Sequence, residues 1–408
     1  GASSADTAAA PTVAPAEPSI LGNAYDPDSS RKYLRVHIPG QAGQTVLSGV
    51  WISAPNTPGN RSGQIYRQLH LLRDNGGKEA SSLFAAVWEP YAGTPFIKRV
   101  TRHGGADDAL AGAAVTVETT DGVRDLTTCD LPDAPLRHLP GGARVQGRFA
   151  FVSRDAQGLR QAVLAGGTLL DTGEIALALP QSDWSARVLE VDWLERRVLL
   201  DSPFPQKLLD GSFFEVGAPA TKERAERWTT FEAVSAIPRA NRTELRWRKG
   251  ADVFAGRIEG IAETEQGPVV TTELAPNLVS GENTQLTATN EAGNRAWRCD
   301  VAGNRLTLYG APWAAGDLKA GERIRLYEVG VGDLWRAPAK ASVRRVAPGV
   351  YRVEANGPVR LSVKAAKAAL SADRQAWIGP AVRQPGGVLV FDLTADQFAA
   401  GAVYVRWP

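Results

Sequence analysis

The sequence predicts an all-β protein, in which a large antiparallel β-sandwich (supersandwich-like) is followed by a smaller C-terminal β domain. Polar and apolar side chains alternate in residues 33–38, which is the pattern of a half-buried strand. Similar short apolar runs recur along the chain, and clusters of Gly, Asp, Asn and Pro separate them. Strands at such regular spacing are typical of β-sandwiches.

The chain has 408 residues, which is enough for two or three domains. Residues 1–20 consist mainly of Ala, Pro, Ser and Thr, so we expect a linker or tail there. Residues 21–335 are predicted to form the large β-sandwich region. The small C-terminal β-sandwich domain is predicted to span residues 336–408, because Gly332 and Pro338 punctuate the boundary.

The first strands can be placed one by one. Residues 46–52 form the second predicted strand. Residues 65–72 fit one face of either a helix or a strand, and we favour a strand because the neighbouring segments are strands. Residues 84–88 form the next strand. We expect it to end at Glu89, because Pro90 has no backbone N–H and restricts the residue before it to extended geometry.

The rest of the chain repeats this pattern. Two hairpins are predicted within residues 186–201 and 343–354, and the few candidate helical turns are residues 219–228 and 364–370. Further strands are predicted at residues 96–101, 114–119, 149–153, 162–170, 213–216, 229–237, 243–247, 269–274, 323–329, 359–363, 388–393 and 403–407.

Charge and cysteine content exclude several classes of function. The 46 basic and 44 acidic residues leave a net charge of +2, which gives no electrostatic case for nucleic acid. No apolar run reaches the length of a membrane span. Cys129 and Cys299 lie far apart in the sequence and fit no metal-ligand spacing. A single disulfide bond between them is an alternative that the sequence leaves open. We predict no nucleic-acid partner, no membrane span, no metal and no cofactor.

Five residues are candidates for contact with a carbohydrate substrate. They are Trp51, Arg67, His70, Arg73 and Trp313. Arg67 and Arg73 flank His70, and a guanidinium group matches a carboxylate in a two-pronged geometry. Trp51 and Trp313 lie beside Gly or Pro loops, where an exposed indole can stack on the C–H face of a sugar. Each of the five also fits a structural role, since surface arginines are often ion-paired and tryptophan often fills a core.

Three ordered segments resemble the β-sheet half of heparinase II/III-like polysaccharide lyases. The first runs from residues 66–72 into residues 82–97 and is similar to that family's pattern of strand, Glu-Pro, strand. The second is the Asp-Gly-Val-Arg-Asp turn at residues 121–125. The third, residues 326–333, is similar to the segment that enters the last β domain of the family.

This resemblance implies a chain that acts on uronic-acid-containing glycans by β-elimination. In such lyases a base removes the proton alpha to the uronate carboxylate, and Asn, His or Arg neutralises the carboxylate charge. No helical stretch here is long enough for the family's (α/α) toroid, and no catalytic residue can be transferred. We therefore expect an upstream helical catalytic domain or a second chain as partner. An acidic polysaccharide is the expected ligand, in a periplasmic or secreted location.

The enzyme class stays open at this point. If the chain is part of an enzyme, it is expected to be a polysaccharide lyase in which these residues alone are inactive and supply scaffold and substrate cleft. The alternatives are a non-catalytic carbohydrate-binding protein and a structural or assembly β protein, because fold does not fix function.

Overall fold

The computed structural model describes residues 32–40, 44–52, 65–74, 83–104, 112–131, 134–203, 213–248, 252–265, 267–276, 284–314, 316–379, 382–399 and 401–407. Within these residues the protein is nearly all strand, with one short α-helix, α1 (Ala395–Ala399). The predicted all-β fold class is confirmed. The predicted tail at residues 1–20 lies outside the described residues.

Four strands form two separate two-stranded sheets at the start of the described chain. They are β1 (Lys32–His37), β2 (Gln44–Ile52), β3 (Ile65–Arg73) and β4 (Val87–Ala92). β1 pairs with β4 and β2 pairs with β3, both antiparallel. Every residue of β3 has a cross-strand partner in β2, so the choice of strand over helix for this segment is confirmed.

The predicted end of a strand at Glu89 is wrong. β4 continues through Pro90, which pairs with Leu34 of β1. Among the described residues β4 pairs with β1 alone, so the missing N–H of Pro90 falls on an edge strand, where proline is tolerated. The chain turns later, at Gly93, whose φ of 71° lies in the left-handed region.

Among the described residues, a 14-stranded antiparallel sheet is the largest layer. Its first half consists of β5 (Ile97–His103), β6 (Gly112–Thr119), β7 (Arg124–Asp130), β8 (Arg137–His138), β9 (Arg144–Asp155), β10 (Gly158–Asp171) and β11 (Ile175–Ala178). β9 and β10 form a long hairpin, and β9 also pairs with β7 and β8. Leu159, Leu164 and Leu170 of β10 are completely buried and centre the core of this sheet.

Two closed barrels of six strands each interrupt the large sheet. The first is formed by β12 (Asp183–Asp192), β13 (Arg197–Leu200), β14 (Phe213–Ala218), β15 (Arg227–Arg239), β16 (Arg242–Trp247) and, after the second barrel, by β23 (Leu334–Pro338). The second is formed by β17 (Asp252–Thr264), β18 (Gly267–Thr272), β19 (Leu286–Thr289), β20 (Ala296–Ala302), β21 (Arg305–Tyr309) and β22 (Arg323–Tyr327).

Each barrel has its own apolar core. Phe214, Trp247 and Trp335 fill the first barrel, and Leu286 and Ile324 are among the buried residues of the second. The second barrel is therefore an insertion into the first, which β23 closes by pairing with both β12 and β14.

The large sheet resumes after β23. Its second half consists of β24 (Lys340–Ala347), β25 (Val350–Ala355), β26 (Val359–Lys364), β27 (Ala369–Ser371), β28 (Val382–Gln384), β29 (Val388–Leu393) and β30 (Val403–Arg406). β24 pairs with β10, and β26 pairs with β11. Strands from both sides of the predicted boundary at residues 335 and 336 thus share one sheet.

Local predictions succeed for hairpins and fail for helices. β12 with β13 and β24 with β25 confirm the two predicted hairpins. The predicted helical turns at residues 219–228 and 364–370 are wrong. β15 begins at Arg227, and residues 364–370 join the end of β26 to β27. Sheet pairing on both sides overrides the helix propensity of these short Ala- and Lys-containing segments.

Two further predictions concern cysteines and membranes. Cys129 is exposed and Cys299 is completely buried in the second barrel, and both are free thiols. Among the described residues no helix is long and apolar enough to cross a membrane. In the same residues no three His, Cys, Asp or Glu side chains cluster as metal ligands would.

Candidate functional site

A basic pocket lies where the end of β5 meets the segment around β8. Its volume is about 620 Å³. Arg102 and His103 line it at the end of β5, and Arg137 and His138 line it from β8. We call this site the basic pocket.

The sheet ladder explains why these two distant segments meet. β5 pairs with β6, β6 with β7, and β7 with β9, while β8 pairs with the opening residues of β9. After β8, Leu139 is buried in the core of the large sheet, and its N–H donates to the carbonyl of Ala143 at 2.8 Å. The wall formed by β8 is therefore anchored to the sheet.

Arg137 is held by a buried carboxylate beneath the pocket. It forms an ion pair with Asp130, the last residue of β7, whose side chain is almost fully buried. Burial raises the pKa of Asp130, and the Arg137 guanidinium acts in the opposite direction. Gly112 packs directly against Asp130, and a Cβ atom at this position would overlap the Asp130 side chain. The absence of a side chain at Gly112 thus leaves room for the Asp130–Arg137 pair.

Arg102 stands in strongly positive surroundings. Its Nη1 donates a hydrogen bond to the Leu83 carbonyl at 3.0 Å. Burial lowers the pKa of Arg102, and the nearby positive charges of Arg73 and Arg137 lower it further. Such a shift means that the charged form of the guanidinium is destabilised by its surroundings and would be stabilised by an anion bound in the pocket.

Nearby positive charges also act on His103. Its Nε2 lies 2.6 Å from the Thr116 hydroxyl of the neighbouring strand β6. Burial lowers the pKa of His103 below its ordinary value of 6.5, and the positive charges of Arg124, Arg99 and Arg137 lower it further. A lowered pKa favours the uncharged imidazole at neutral pH.

The structure places the sequence-predicted site residues in different parts of the protein. Trp51 and Arg67 lie in β2 and β3, and their side chains are outside the described part of the chain. His70 is exposed and Arg73 is half-buried in β3. Because successive side chains of a strand alternate, these two residues, three positions apart, point to opposite faces. Among the candidates whose side chains the structure describes, Arg73 is near enough for its charge to act on Arg102 of the basic pocket.

Trp313 belongs to the second barrel. Its ring centroid lies 5.6 Å from that of Trp297, and it packs against the apolar core of this barrel. The structure therefore separates Trp313 from the β3 candidates and gives it the packing role that large aromatic side chains commonly have.

Sequence reasoning did not select any of the four Arg and His residues that line the basic pocket. A local signal was present, because the dipeptide Arg-His occurs at residues 102–103 and again at residues 137–138. Both copies lie beside Gly or Pro, where strands end and loops begin. No spacing rule connects them, since the ladder from β5 through β9 brings them together.

No protein-family model, no curated protein and no solved structure matches the chain. The resemblance to heparinase II/III-like lyases thus stays a prediction from the sequence segments alone.

Proposed function

We propose that the chain binds an acidic, uronic-acid-containing polysaccharide at the basic pocket. In this proposal it supplies scaffold and substrate cleft to a polysaccharide lyase that works by β-elimination. The observation that carries the proposal is the convergence of two Arg-His pairs on one cavity, at Arg102, His103, Arg137 and His138.

The chemistry of the pocket suits a carboxylate. A guanidinium group can donate two parallel hydrogen bonds to a carboxylate or sulfate, and such charge-assisted bonds are about twice as strong as neutral ones. Arg73, Arg99 and Arg124 add positive potential around the pocket. The protein's net charge of only +2 is compatible with a positive potential at the pocket, because the potential in a cleft depends on the charges around it.

The same interaction is the one that β-elimination needs from a substrate-binding cleft. Neutralising the uronate carboxylate makes the alpha proton more acidic, and preformed positive groups do this without reorganisation. We assign this role of charge neutralisation to Arg102, because the charge of Arg137 is already paired with Asp130. The base that removes the proton is assigned to the partner domain or chain.

Affinity electrophoresis tests the proposed binding. Native gels that contain polygalacturonate, alginate or heparan sulfate are run with the wild type, Arg102→Gln and Arg344→Gln. Arg344 is exposed on β24, so this control removes the same charge outside the basic pocket. We expect retardation of the wild type and of Arg344→Gln by at least one polymer, and weaker retardation of Arg102→Gln. Equal retardation of all three proteins contradicts the proposal.

Ultraviolet absorbance of unsaturated uronate tests the scaffold role on the same samples. We expect retardation without product from this chain alone, a result that also fits a non-catalytic carbohydrate-binding protein. Robust product formation contradicts the assignment of the base to a partner. Absence of retardation together with a defined higher oligomer in light scattering would favour a structural or assembly protein.

A further inference from the structure

A second cavity lies between the two barrels and has a different chemistry. Its volume is about 840 Å³, within the roughly 300–1,000 Å³ of small-molecule sites. The first barrel contributes the turn after β12 and the turn before β16, and the second barrel contributes β22 and the turn after β19. We call this cavity the inter-barrel cleft.

An aromatic pair forms one wall of the inter-barrel cleft. The rings of Trp193 and Tyr327 lie 5.5 Å apart between centroids. The indole Nε1 of Trp193 donates to the carbonyl of Val329 at 3.1 Å, so a residue of the first barrel is bonded to the segment that leaves the second. Trp193 remains partly accessible and therefore presents a fixed apolar surface to the cleft.

Further contacts tie the two barrels together outside the cleft. Arg224 Nε lies 2.7 Å from an Asp300 carboxylate oxygen, and the Gln285 side chain donates to the Ala225 carbonyl at 2.6 Å. Arg298 forms an ion pair with the completely buried Asp333 just before β23. These bonds join the two barrels through residues that do not line the cleft.

The charges that line the inter-barrel cleft balance. Four arginines and four carboxylates face it, namely Arg197, Arg239, Arg242, Arg325, Glu190, Asp192, Glu244 and Glu291. Some of these charged side chains form ion pairs with one another. The carboxylate of Glu244, which is nearly buried, forms ion pairs with Arg239 and Arg197, at N···O distances of 3.0 Å and 3.7 Å. Arg197 forms a second ion pair, with Asp192, at 3.2 Å.

The remaining groups define the ligand. Within the described part of the chain, neither Arg242 nor Arg325 has a carboxylate within 4.0 Å, and neither Glu190 nor Glu291 has a cation within that distance. An anionic ligand would meet Glu190 and Glu291, and a cationic ligand would meet the two arginines. A hydroxyl group satisfies both sides, because it donates to a carboxylate and accepts from a guanidinium.

We propose that the inter-barrel cleft binds a neutral oligosaccharide segment. Its hydroxyl groups bond to Arg242, Arg325 and Glu190, and its C–H face packs on Trp193. This site is separate from the basic pocket, and its ligand is uncharged. The combination of one rigid aromatic surface with a few convergent polar groups is the usual composition of a small-ligand site.

Fluorine NMR of fluorotryptophan-labelled full chain tests this proposal. The resonance of Trp193 is identified as the one that disappears in Trp193→Phe. Cellohexaose, xylohexaose, mannohexaose and maltohexaose are titrated, with hexagalacturonate as the acidic probe of equal length. We expect at least one neutral hexasaccharide to shift the Trp193 resonance, and hexagalacturonate to leave it unchanged.

Charge-removing variants locate the binding. The double variant Arg242→Gln and Arg325→Gln should weaken the affinity by about tenfold, whereas Arg305→Gln, at an exposed position of β21, should not change it. Arg102→Gln in the basic pocket should also leave this titration unchanged, which separates the two proposals. The inference is overturned if no neutral probe shifts the resonance at about 10 mM, a concentration that would detect even millimolar affinity. It is equally overturned if the double variant binds as the wild type does, or if hexagalacturonate shifts the resonance as strongly.

Discussion

The imidazole Nε2 of His37 lies 2.8 Å from a carboxylate oxygen of Glu89, and this contact joins β1 to β4. Glu89 is completely buried. Its other oxygen accepts the backbone N–H groups of Phe96 and Ile97 at 2.6 Å each, where β5 begins. One carboxylate therefore connects three strands, and the third of them ends in the basic pocket.

Replacement of Glu89 by Gln should release the start of β5. A neutral amide keeps the shape but weakens charge-assisted hydrogen bonds, so we expect a loss of about 2 kcal/mol in the free energy of local opening. Hydrogen exchange of the Phe96 and Ile97 amides measures it directly. Glu118→Gln is the control, because Glu118 is partly exposed and its ion pair with Arg124 spans 3.8 Å. Similar exchange rates at these two amides in both variants would contradict this role of Glu89.

The same carboxylate should give the start of β5 an acid-sensitive stability. Burial alone raises the pKa of Glu89, but the Ile97 N–H, His37, the Phe96 N–H and Arg35 outweigh it and hold the pKa below 4.5. A lowered folded-state pKa stabilises fully above the unfolded value, and this contribution is lost as the pH falls through the folded-state pKa. The difference in opening free energy between wild type and Glu89→Gln should therefore shrink below about pH 4.5. A difference that stays constant down to strongly acidic pH would show that the Glu89 charge does not matter.

Gly112→Ala should disturb the support of the basic pocket. The new methyl group overlaps Asp130, and φ at this position is +145°. Gly122→Ala is a matched control, because its φ is +85° and no atom lies within 4 Å of the added Cβ. We expect the control to lose about 1–2 kcal/mol from backbone strain and Gly112→Ala to lose about 1–3 kcal/mol more from overpacking. Urea unfolding measures both, and equal losses would mean that Asp130 moves aside at no cost.

His103 should couple ligand binding to proton uptake. Its pKa is depressed in the empty pocket, and a bound carboxylate raises it, so the complex holds more protons than the free protein. The affinity for hexagalacturonate should rise as the pH falls through the range between the two pKa values, by up to about tenfold for each unit of pKa change. Calorimetry in buffers of different ionisation enthalpy detects the proton.

The control for this prediction is a second histidine. His103→Gln should abolish most of the proton uptake, whereas His70→Gln, on the exposed surface of β3, should retain it. Binding that is independent of pH in the wild type would place the ligand away from His103.

The sequence predicts those strands and hairpins that are determined by residues close together along the chain. Alternation identifies β1, the neighbouring strands favour a strand over a helix for β3, and turn residues identify the β12–β13 and β24–β25 hairpins. Closure of the barrels has no such local signal, since β12 pairs with β23, about 150 positions later in the chain. For the same reason, the sequence pattern could not predict that the second barrel is inserted into the first, or that β24, the strand after β23, pairs with β10.

The candidate site shows the same limit. The resemblance directed attention to Glu89 and Pro90, and the structure gives Glu89 a buried bonding role within β4 rather than the predicted place at a strand end. Arg73 was selected for its guanidinium, and its charge does act on Arg102. His103 and His138 gain their interest only from three-dimensional proximity, which the sheet ladder creates.

Isothermal titration of hexagalacturonate into the wild type, Arg102→Gln and His138→Gln tests the central claim most directly. His138 is exposed, so its replacement alters the pocket without removing buried contacts, and thermal unfolding checks that both variants remain folded. The account predicts binding that weakens with added salt and falls by about tenfold in Arg102→Gln, with a smaller loss in His138→Gln. Identical affinity in all three proteins, or no binding to the wild type at low salt, would contradict it.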